Sequence, residues 1–494
     1  MLVYSTAYYL IFNVLIVLSL LFILRLLHLN SILKVSLLPY ALKVLAAWVL
    51  YFTLWVFISL KSSLNSYSHY TVFSSSPNYN LPYWDITPLV GTYGLPTFAG
   101  NYYAVYCYPF LYVFILVTAL SIIFCMSYNS DELFSFMFFC KTILIAGYIL
   151  FFTDSLILFF FAYEMLLLPS FFILYKFAKT RRCVEAAYLM FFWTQFGALF
   201  LLFSFIYIFI VCDTSKFSVI RLAYFTQFEV NFIFICCLFG FGVKFPIWPF
   251  YGWLPKAHVE ASTNFSIFLS GVLVKFAFFG FFKCLSVLNF DPTTYLTIPF
   301  LMQGIVDSTM KLFCQIDLKK LVAYSTVLEM HWLTLCVLSG NGHLLCANFC
   351  MLISHALLST NSFLLVDAIA RRFKTRTIVE LNGLNFLTPK LFLFALVNSL
   401  IFLGFPGSLF FIAEVLFFAF VFDLFPLLAV TLLLILFLIA PTFLVKPWLN
   451  LMFSKSKFFA QKLPLDLSLR ELYLFTFLPV LMFWLGFMWQ AFIL

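Results

Sequence analysis

Long apolar runs are the feature of this sequence that most limits its fold. They recur along 494 residues, of which 65% are hydrophobic and 10% are charged. A helix needs about 20 mostly apolar residues to cross the hydrocarbon core of a bilayer, whereas soluble domains carry about 25% charged residues. We therefore predict an all-α polytopic membrane protein. The composition excludes a soluble enzyme, a secreted disulfide scaffold and a nucleic-acid binder.

Charged and turn residues divide these runs into about fourteen predicted transmembrane helices. These spans are numbered 1 to 14 in chain order. Their predicted bounds are 6–28, 38–60, 104–127, 132–152, 155–175, 186–211, 230–252, 262–285, 294–313, 318–339, 344–369, 388–421, 425–445 and 471–492.

The positive charges alternate between the loops, which tests this count of spans. Nineteen of the 28 Lys and Arg are assigned to loops after odd-numbered spans or to the span ends beside them, Lys319 and Lys320 among them, and four are assigned in the same way to loops after even-numbered spans. Lys and Arg accumulate on the cytoplasmic side of a membrane, so the odd loops are predicted to lie on the cytoplasm-like or matrix side. Both termini are then predicted to face the opposite side.

The chain is predicted to divide into four segments. Residues 1–130 hold spans 1–3 and a polar, nearly uncharged loop over 61–103, whose Ser, Asn, Pro and Gly predict irregular structure. Residues 131–290 hold spans 4–8, and residues 291–446 hold spans 9–13. Residues 447–494 hold a basic loop and span 14.

Four ionisable side chains inside predicted spans are the main functional candidates: Glu164, Lys244, Lys275 and Glu414. Ionisable groups at membrane depth are costly, and they usually face a protein interior or a hydrated cavity. The alternatives are a neutral packing acid for Glu164 and a snorkelling anchor for Lys244. We favour proton transfer for all four, because burial can bring Lys and Glu to exchange protons near neutral pH.

Two spans carry helix-breaking residues close to these charges. Pro246 and Pro249 follow Lys244 in span 7, and Gly404 and Pro406 precede Glu414 in span 12. Proline removes a backbone hydrogen bond and clashes with the preceding turn, so both helices are predicted to break. In membranes, broken helices are tolerated where they line a cavity.

The two breaks fall at corresponding places of two predicted five-helix units, spans 4–8 and spans 9–13. Glu164 precedes Lys244 by 80 residues, and Glu329 precedes Glu414 by 85 residues. An odd number of spans inverts the second unit relative to the first. Inverted repeats with broken helices at the membrane midplane are typical of transporters.

Four further side chains are candidates for an accessory proton relay: His258, Glu329, His331 and His355. His258 follows the break of span 7 and is predicted near the positive surface, where a helix-capping role is the alternative. His355 falls in the middle of span 11, where a lone buried His is more often a packed core residue. Histidine titrates near neutral pH, which suits proton transfer.

The sequence offers no complete ligand set for a metal or a redox cofactor. The 12 Cys form no C-x-x-C pair, and most lie in apolar runs, which favours packing. His343, Cys346 and Cys350 fall near one helix face, but no fourth ligand shares that face. We therefore expect a proton or cation path without redox chemistry of its own.

Several motifs resemble the chain 4 family of the proton-pumping NADH:ubiquinone oxidoreductases, the respiratory complex I enzymes. The most specific motif is WLPKAHVEA at 253–261, and Glu414 also fits this family. Further matches follow the family order, at YEMLLLPSF (163–171), QIDLKKLVAYSTV (315–327), LISHALLST (352–360) and RTIVELNGL (376–384).

The resemblance implies a fourteen-helix, antiporter-like chain with two inverted five-helix repeats. Such a chain would move protons in the membrane arm as one subunit of the enzyme, while quinone is reduced in other subunits. Glu164 and Lys244 are implied to be the coupling pair. Lys275 is implied to be the central relay, with His355 as a relay residue and Glu414 in the second broken helix.

The resemblance also implies partners, cofactors and a location. The expected partners are other membrane-arm subunits, including the neighbouring antiporter-like subunits 2 and 5, and membrane lipids with cardiolipin as a candidate. No nucleic acid is expected. NAD, FMN, iron–sulfur clusters and ubiquinone are expected in other subunits. The expected location is the mitochondrial inner membrane, with the odd loops on the matrix side.

The sequence departs from the family pattern at two positions. Glu329 stands where the family usually has the His of a YSSVSHM-like motif, and His331 follows two residues later. Ser262 stands where the family usually has Pro after HVEA. The first departure puts the central relay in question at that position, although a carboxylate can also carry a proton.

Two other functions are compatible with parts of this pattern. A subunit of a multi-subunit cation/proton antiporter would share the architecture but would exchange an ion without NADH oxidation. A structural membrane spacer would have no reason to bury four ionisable side chains, so the sequence disfavours it.

Overall fold

The computed structural model describes most of the chain beyond its first hundred residues. Predicted spans 1 and 2, most of span 3 and the polar loop 61–103 lie outside the described residues. The described residues are 113–118, 120–121, 130–178, 180–287, 297–338, 342–381, 383–424, 426–454 and 466–488.

The described part of the chain is built from α-helices, with two isolated β-bridges between loops. The first six helices are α1 (Ser130–Phe152), α2 (Leu156–Met165 and Leu167–Lys176), α3 (Arg181–Cys212), α4 (Gln227–Lys244), α5 (Trp253–Glu260) and α6 (Thr263–Phe268, Leu269–Leu273 and Val274–Val287). The later helices are α7 (Thr297–Phe313), α8 (Leu318–Leu338), α9 (Gly342–Phe373), α10 (Pro389–Phe402), α11 (Leu409–Leu424), α12 (Pro426–Leu432, Leu433–Ile439 and Ala440–Phe453) and α13 (Leu469–Phe487). Short helices at Phe217–Ile220, Phe250–Gly252 and Leu384–Leu387 lie in the connections.

Helix length and composition make this a multi-pass membrane protein. In the described chain, eight helices are long and apolar enough to cross a membrane: α1, α2, α3, α4, α6, α8, α9 and α12. The apolar helices α10, α11 and α13 are shorter. Helices α10 and α11 are short because the break in span 12 divides one long apolar run between them.

Two predicted spans have different ends in the structure. Span 6 begins at Arg181 rather than at 186, because the Thr180 hydroxyl accepts a hydrogen bond from the Cys183 N–H and caps the helix. Span 13 continues from the predicted end at 445 to Phe453, into the predicted basic loop. Pro447 lies inside this helix, whose buried face continues through Trp448 beyond the proline.

The centre of the bundle consists of α6, α8 and α9. The most apolar stretch of α6 is completely buried, and 94% of the corresponding stretches of α8 and α9 is buried, against 33% for α3. Outward-facing side chains of α3, such as Phe192 and Phe203, are mostly exposed. Helices that are buried on every side belong to a bundle interior. Lys275, Glu329 and His355, which lie on these three helices, are therefore enclosed by protein.

The α3 and α4 helices meet through their backbones just before Lys244. A Cβ atom on Gly197 would lie 2.9 Å from the Gly240 carbonyl oxygen. The same oxygen accepts a hydrogen bond from the Tyr163 hydroxyl of α2 at 3.0 Å. Small residues let membrane helices approach closely. This contact holds the end of α4 against both α2 and α3.

Two long apolar runs are interrupted where the sequence places Gly and Pro. The α4 helix ends at Lys244, and the next helical turn begins at Phe250. The second interruption separates α10 from α11, and it contains Gly404 at φ +68° and Gly407 at φ +92°. Glycine adopts positive φ without the steric cost that a Cβ atom brings.

We expect Gly404→Ala to destabilise the protein by about 1 kcal/mol or more, because alanine is strained at positive φ. Its Cβ atom would also collide with Oε2 of Glu414. The measurement is thermal denaturation of the detergent-purified protein. Gly252→Ala is the matched control, since Gly252 has φ −59° and open space around it. Equal denaturation temperatures for the two variants would contradict this account.

Candidate functional site

Lys244 lies at the end of α4, and its side chain is enclosed by α2. Only 2% of the residue is exposed. Its ammonium group donates a hydrogen bond to the Tyr163 carbonyl oxygen at 2.7 Å and lies 3.6 Å from the centroid of the Tyr163 ring. The buried cation therefore has a backbone acceptor and an aromatic face in place of water.

The Tyr163 carbonyl is available because α2 is irregular at this point. The helix is interrupted at Leu166, three residues before Pro169. Proline lacks an N–H and crowds the preceding turn. The Tyr163 carbonyl is left with a long hydrogen bond of 3.4 Å from the Leu166 N–H, so it can also accept from Lys244.

Glu164 follows Tyr163 on α2 and is half-buried in this single chain. Its Oε1 atom is enclosed and has no hydrogen-bond partner among the described residues. The Glu164 carboxylate and the Lys244 ammonium group are close enough to attract each other electrostatically. The structure thus brings these two predicted site residues together, across the backbone of Tyr163.

The break after Lys244 is closed by a side chain from the next helix. Pro246 and Pro249 lie in this break and supply no N–H groups. The Trp253 indole N–H donates to the Val243 carbonyl oxygen at 2.8 Å. Carbonyl groups at a helix end need partners inside a membrane, so this bond stabilises the open end of α4.

Lys275 is fully buried in α6, beside an irregular turn of that helix. Residues Leu269–Leu273 form a π-helical segment. The Lys275 ammonium group donates to the Ser270 carbonyl oxygen in this segment, and it lies 2.5 Å from Nδ1 of His355 on α9. π-Helical turns occur frequently at functional sites, and this one supplies an acceptor to a buried cation.

His355 lies between Lys275 and Glu329 on α8. Its Nε2 atom lies 3.3 Å from Oε2 of Glu329, without the alignment of a hydrogen bond, and each of the three residues is at most 5% exposed. An ammonium group can only donate to Nδ1, and a carboxylate can only accept from Nε2. One neutral tautomer of His355, with its hydrogen on Nε2, therefore suits both contacts. These three residues are called the Lys–His–Glu series below.

Glu414 lies on α11 beside the second break and is 5% exposed. Its Oε2 atom packs against Gly404 and has no hydrogen-bond partner among the described residues. The carboxylates of Glu414 and Glu329 are close enough to repel each other. Pro406 lies within the break itself. Glu414 therefore neighbours the carboxylate end of the Lys–His–Glu series.

His258 lies in the protein interior rather than on an exposed helix end. It is completely buried, and its ring stacks on Phe363 of α9 with the centroids 4.9 Å apart. The α5 helix turns back against α3 and α8 after the break, which carries His258 inward. Lys275 and Lys319 are both within electrostatic range of the His258 ring.

Lys319, which is counted with Lys320 among the charges beside the loop after span 9, is a buried cation. It is 3% exposed, and its ammonium group donates to the Ala261 carbonyl oxygen at 2.6 Å. Lys319 belongs to the first turn of α8, where adjacent residues point about 100° apart. Lys319 therefore faces the bundle while Lys320 is more exposed. The neighbouring apolar residues Leu318 and Leu321 were the available signal.

His331 lies two residues after Glu329, but its ring nitrogens contact backbone groups. Nε2 accepts a hydrogen bond from the Trp248 N–H at 2.7 Å, and Nδ1 lies 2.8 Å from the Val327 carbonyl oxygen. No group of three or more His, Cys, Asp or Glu in the described ranges is arranged to hold a metal ion. The residues that the structure brings together are Lys, His and Glu side chains.

The chain is similar in sequence to subunits of membrane oxidoreductases. Residues 153–440 match the family described as NADH:quinone oxidoreductase/Mrp antiporter, TM. NADH-ubiquinone oxidoreductase chain 4 of Paramecium tetraurelia is 36% identical over 371 residues, covering 72% of this chain and 77% of that protein. Chain 4 of Chondrus crispus is 30% identical over 374 residues, covering 74% and 72%.

Solved structures share the fold at lower sequence identity. A chain of respiratory complex I from Thermus thermophilus with bound NADH matches at TM-score 0.67 and 21% identity, over 78% of this chain and 83% of that chain. A chain of the Mrp complex from Dietzia sp. DQ12-45-1b matches at TM-score 0.66 and 21% identity, over 78% and 43%. The family match spans more than half of the sequence, and this chain covers more than two thirds of both relatives. The chain therefore belongs to the NADH:quinone oxidoreductase/Mrp antiporter transmembrane family and, within it, to the NADH-ubiquinone oxidoreductase chain 4 proteins.

Proposed function

We propose that this chain is a proton-translocating membrane-arm subunit of a respiratory NADH:ubiquinone oxidoreductase. The Lys–His–Glu series carries the proposal, because it is a buried succession of proton donors and acceptors in a relative of chain 4. The chain would serve the NADH:ubiquinone reductase as a subunit, with no redox chemistry of its own.

In this proposal a proton crosses the Lys–His–Glu series through a change of tautomer. The Lys275 ammonium group gives a proton to Nδ1 of His355, and the Nε2 proton of the same ring passes to Glu329. Lysine becomes a neutral amine, and glutamate becomes a carboxylic acid. The series has zero net charge before and after the step. Proton movement therefore leaves no uncompensated charge in the bundle, where such a charge is costly.

Lys244 and Glu164 would couple this movement to events in neighbouring subunits. The attraction of the carboxylate for the ammonium group favours a protonated Lys244. A change of charge in a neighbouring subunit that draws Glu164 away would favour release of that proton toward Lys275. From the Lys–His–Glu series the proton would pass to Glu414, and His258 would serve as an accessory relay beside Lys275.

The finer architecture belongs to the same proposal. Fourteen spans would include two inverted five-helix repeats over 131–290 and 291–446, with the segments 1–130 and 447–494 on either side. The interruptions after Lys244 and before Glu414 support this repeat, since each lies beside a buried ionisable side chain.

We also infer a location and partners. The chain 4 relatives support a location in the mitochondrial inner membrane. The distribution of Lys and Arg supports an orientation with the odd loops in the matrix. Its partners would be other membrane-arm subunits, including the antiporter-like subunits 2 and 5. Membrane lipids such as cardiolipin would contact the apolar outer face of helices like α3. NAD, FMN, iron–sulfur clusters and ubiquinone would bind to other subunits.

A subunit of a multi-subunit cation/proton antiporter is the second candidate. The TM-score is 0.66 for the Mrp chain and 0.67 for the complex I chain, so similarity of fold does not separate the two candidates. The named chain 4 relatives favour the first candidate. The proteins that accompany this chain in the membrane distinguish the two.

After mild detergent extraction, we expect the chain to migrate on a native gel in a large assembly that oxidises NADH. Mass spectrometry of this band should identify flavin and iron–sulfur subunits. A smaller assembly without such subunits would favour the antiporter, and the next measurement would be the cation dependence of its proton flux.

We expect Lys244→Ala and Glu164→Ala each to reduce proton pumping at least tenfold, roughly the contribution of one proton-transferring group. The measurement is the quenching of a pH-sensitive dye in inverted membrane vesicles during NADH oxidation. Glu185→Gln is the control, because Glu185 lies on the exposed surface of α3, where it pairs with Arg181.

The amount of assembled complex is measured in the same vesicles. Normal pumping per NADH oxidised in a fully assembled Lys244→Ala variant would refute the coupling role. Loss of assembly in that variant would shift the test to Glu164→Gln, which conserves the side-chain volume.

We expect Glu329→Gln to reduce pumping as strongly, because an amide cannot receive the proton that leaves Nε2 of His355. Glu329→His should retain more activity than Glu329→Gln, since imidazole can accept a proton. Thr326→Ser is the control on the same buried helix, because serine keeps the hydroxyl that donates to Ala323. Equal pumping by Glu329→Gln and the control would remove Glu329 from the path.

A further inference from the structure

His331 joins the second half of the bundle to the break that follows Lys244. It lies on α8 and is completely buried. Its Nε2 atom accepts the Trp248 N–H at 2.7 Å, and its Nδ1 atom lies 2.8 Å from the Val327 carbonyl oxygen one turn earlier. Trp248 is four residues after Lys244 in the interruption between α4 and α5.

The two contacts allow one form of the His331 ring. A carbonyl oxygen only accepts hydrogen bonds, so Nδ1 must carry a hydrogen atom. A backbone N–H only donates, so Nε2 must be free to accept. Neutral His331 with its hydrogen on Nδ1 satisfies both partners. The Val327 carbonyl thus orients the ring so that Nε2 faces the break.

The Trp248 N–H differs from the other amides of the break. The N–H groups of Phe245, Ile247 and Phe250 donate to carbonyl groups of their own segment, at 2.8–2.9 Å. The Trp248 N–H donates instead to a side chain of α8. A buried N–H without a partner is costly, so this bond favours one position of the break.

The surroundings of the ring leave it little freedom to move. A Cβ atom on Gly304 of α7 would collide with the His331 ring, so the two pack in direct contact. The Tyr251 ring meets the imidazole edge-on, with the centroids 6.1 Å apart. The Tyr251 hydroxyl in turn contacts Asp307 and Lys311 of α7. Helix α7, helix α8 and the break therefore share one packed contact.

We propose that His331 is a positioning residue that fastens the break after Lys244 to α8. Glu329 lies on the same helix two residues earlier, so one rigid element holds both the carboxylate of the Lys–His–Glu series and the end of α4. A displacement of α8 would then move the backbone that follows Lys244. The effect on pumping rests on the proton-translocating function proposed above, whereas the hydrogen bond itself does not.

Three substitutions separate the hydrogen bond from the volume of the ring. His331→Phe keeps an aromatic ring but removes the acceptor. His331→Gln places an amide oxygen at about the reach of Nε2, and His331→Asn is too short to reach Trp248. Met330→Leu, at a buried neighbour on α8, is the control for any change in the core of this helix.

The first measurement is deuterium uptake over residues 245–252 in the purified complex. We expect His331→Phe and His331→Asn to accelerate exchange of one amide about tenfold, the effect of losing one hydrogen bond. His331→Gln should restore exchange to within about twofold of the wild-type protein. Unchanged uptake in both His331→Phe and His331→Asn would overturn the inference, and so would a His331→Gln variant that exchanges as fast as they do.

The second measurement is the number of protons pumped per NADH oxidised in vesicles. We expect at least a twofold loss for His331→Phe and recovery with His331→Gln, which a merely structural defect would not show. Should His331→Phe fail to assemble, His331→Asn provides the same comparison. A wild-type complex that does not pump would contradict the proposed function. Deuterium uptake would then still test whether His331 holds the break in position. Full pumping in a variant with accelerated uptake would overturn the positioning role.

Discussion

Inside a bilayer, the protein itself must satisfy every backbone polar group that it buries, and the described structure depends on this requirement. The interruption after Lys244 exposes backbone groups in the middle of an apolar bundle. Side chains from three other elements meet them: Tyr163 on α2 binds Gly240, Trp253 on α5 binds Val243, and His331 on α8 binds Trp248. Several helices are therefore joined by hydrogen bonds at this break, and these bonds hold the helix end that carries Lys244.

The same irregularities that need support also provide partners for buried cations. Lys244 donates to a carbonyl group beside the interruption of α2, and Lys275 donates to a carbonyl group in the π-helical segment of α6. A regular helix uses its carbonyl groups for its own hydrogen bonds. Departures from regular geometry thus let an ammonium group remain in the interior without a carboxylate directly bonded to it. The opposite charges at Glu164 and Glu329 are then free to act at a longer distance or through His355.

The sequence predicts which side chains can exchange protons better than it predicts which of them are buried. Lys244, Lys275, Glu329, His355 and Glu414 were predicted as site residues, because ionisable groups in long apolar runs are rare enough to be conspicuous. The structure assembles three of them into the Lys–His–Glu series and sets Glu414 beside it. The burial of His258 and Lys319 was not predicted, because both are next to loops and the loop count does not record which side of a helix turn faces inward. The continuation of α12 past Pro447 was also not predicted. A proline usually marks the end of a helix, but here the residues after it pack in the interior and the helix continues.

The sequence alone establishes a multi-pass helical membrane protein, the breaks after Lys244 and before Glu414, and the few side chains that can carry protons. Those properties follow from local composition, because hydropathy and backbone preference act over a turn or a span. Tertiary structure alone decided which of those side chains meet. His355 stands between Lys275 and Glu329, and His331 faces Trp248 from 83 residues away. Such contacts depend on how helices distant in sequence rotate and pack against one another, and no local pattern encodes that.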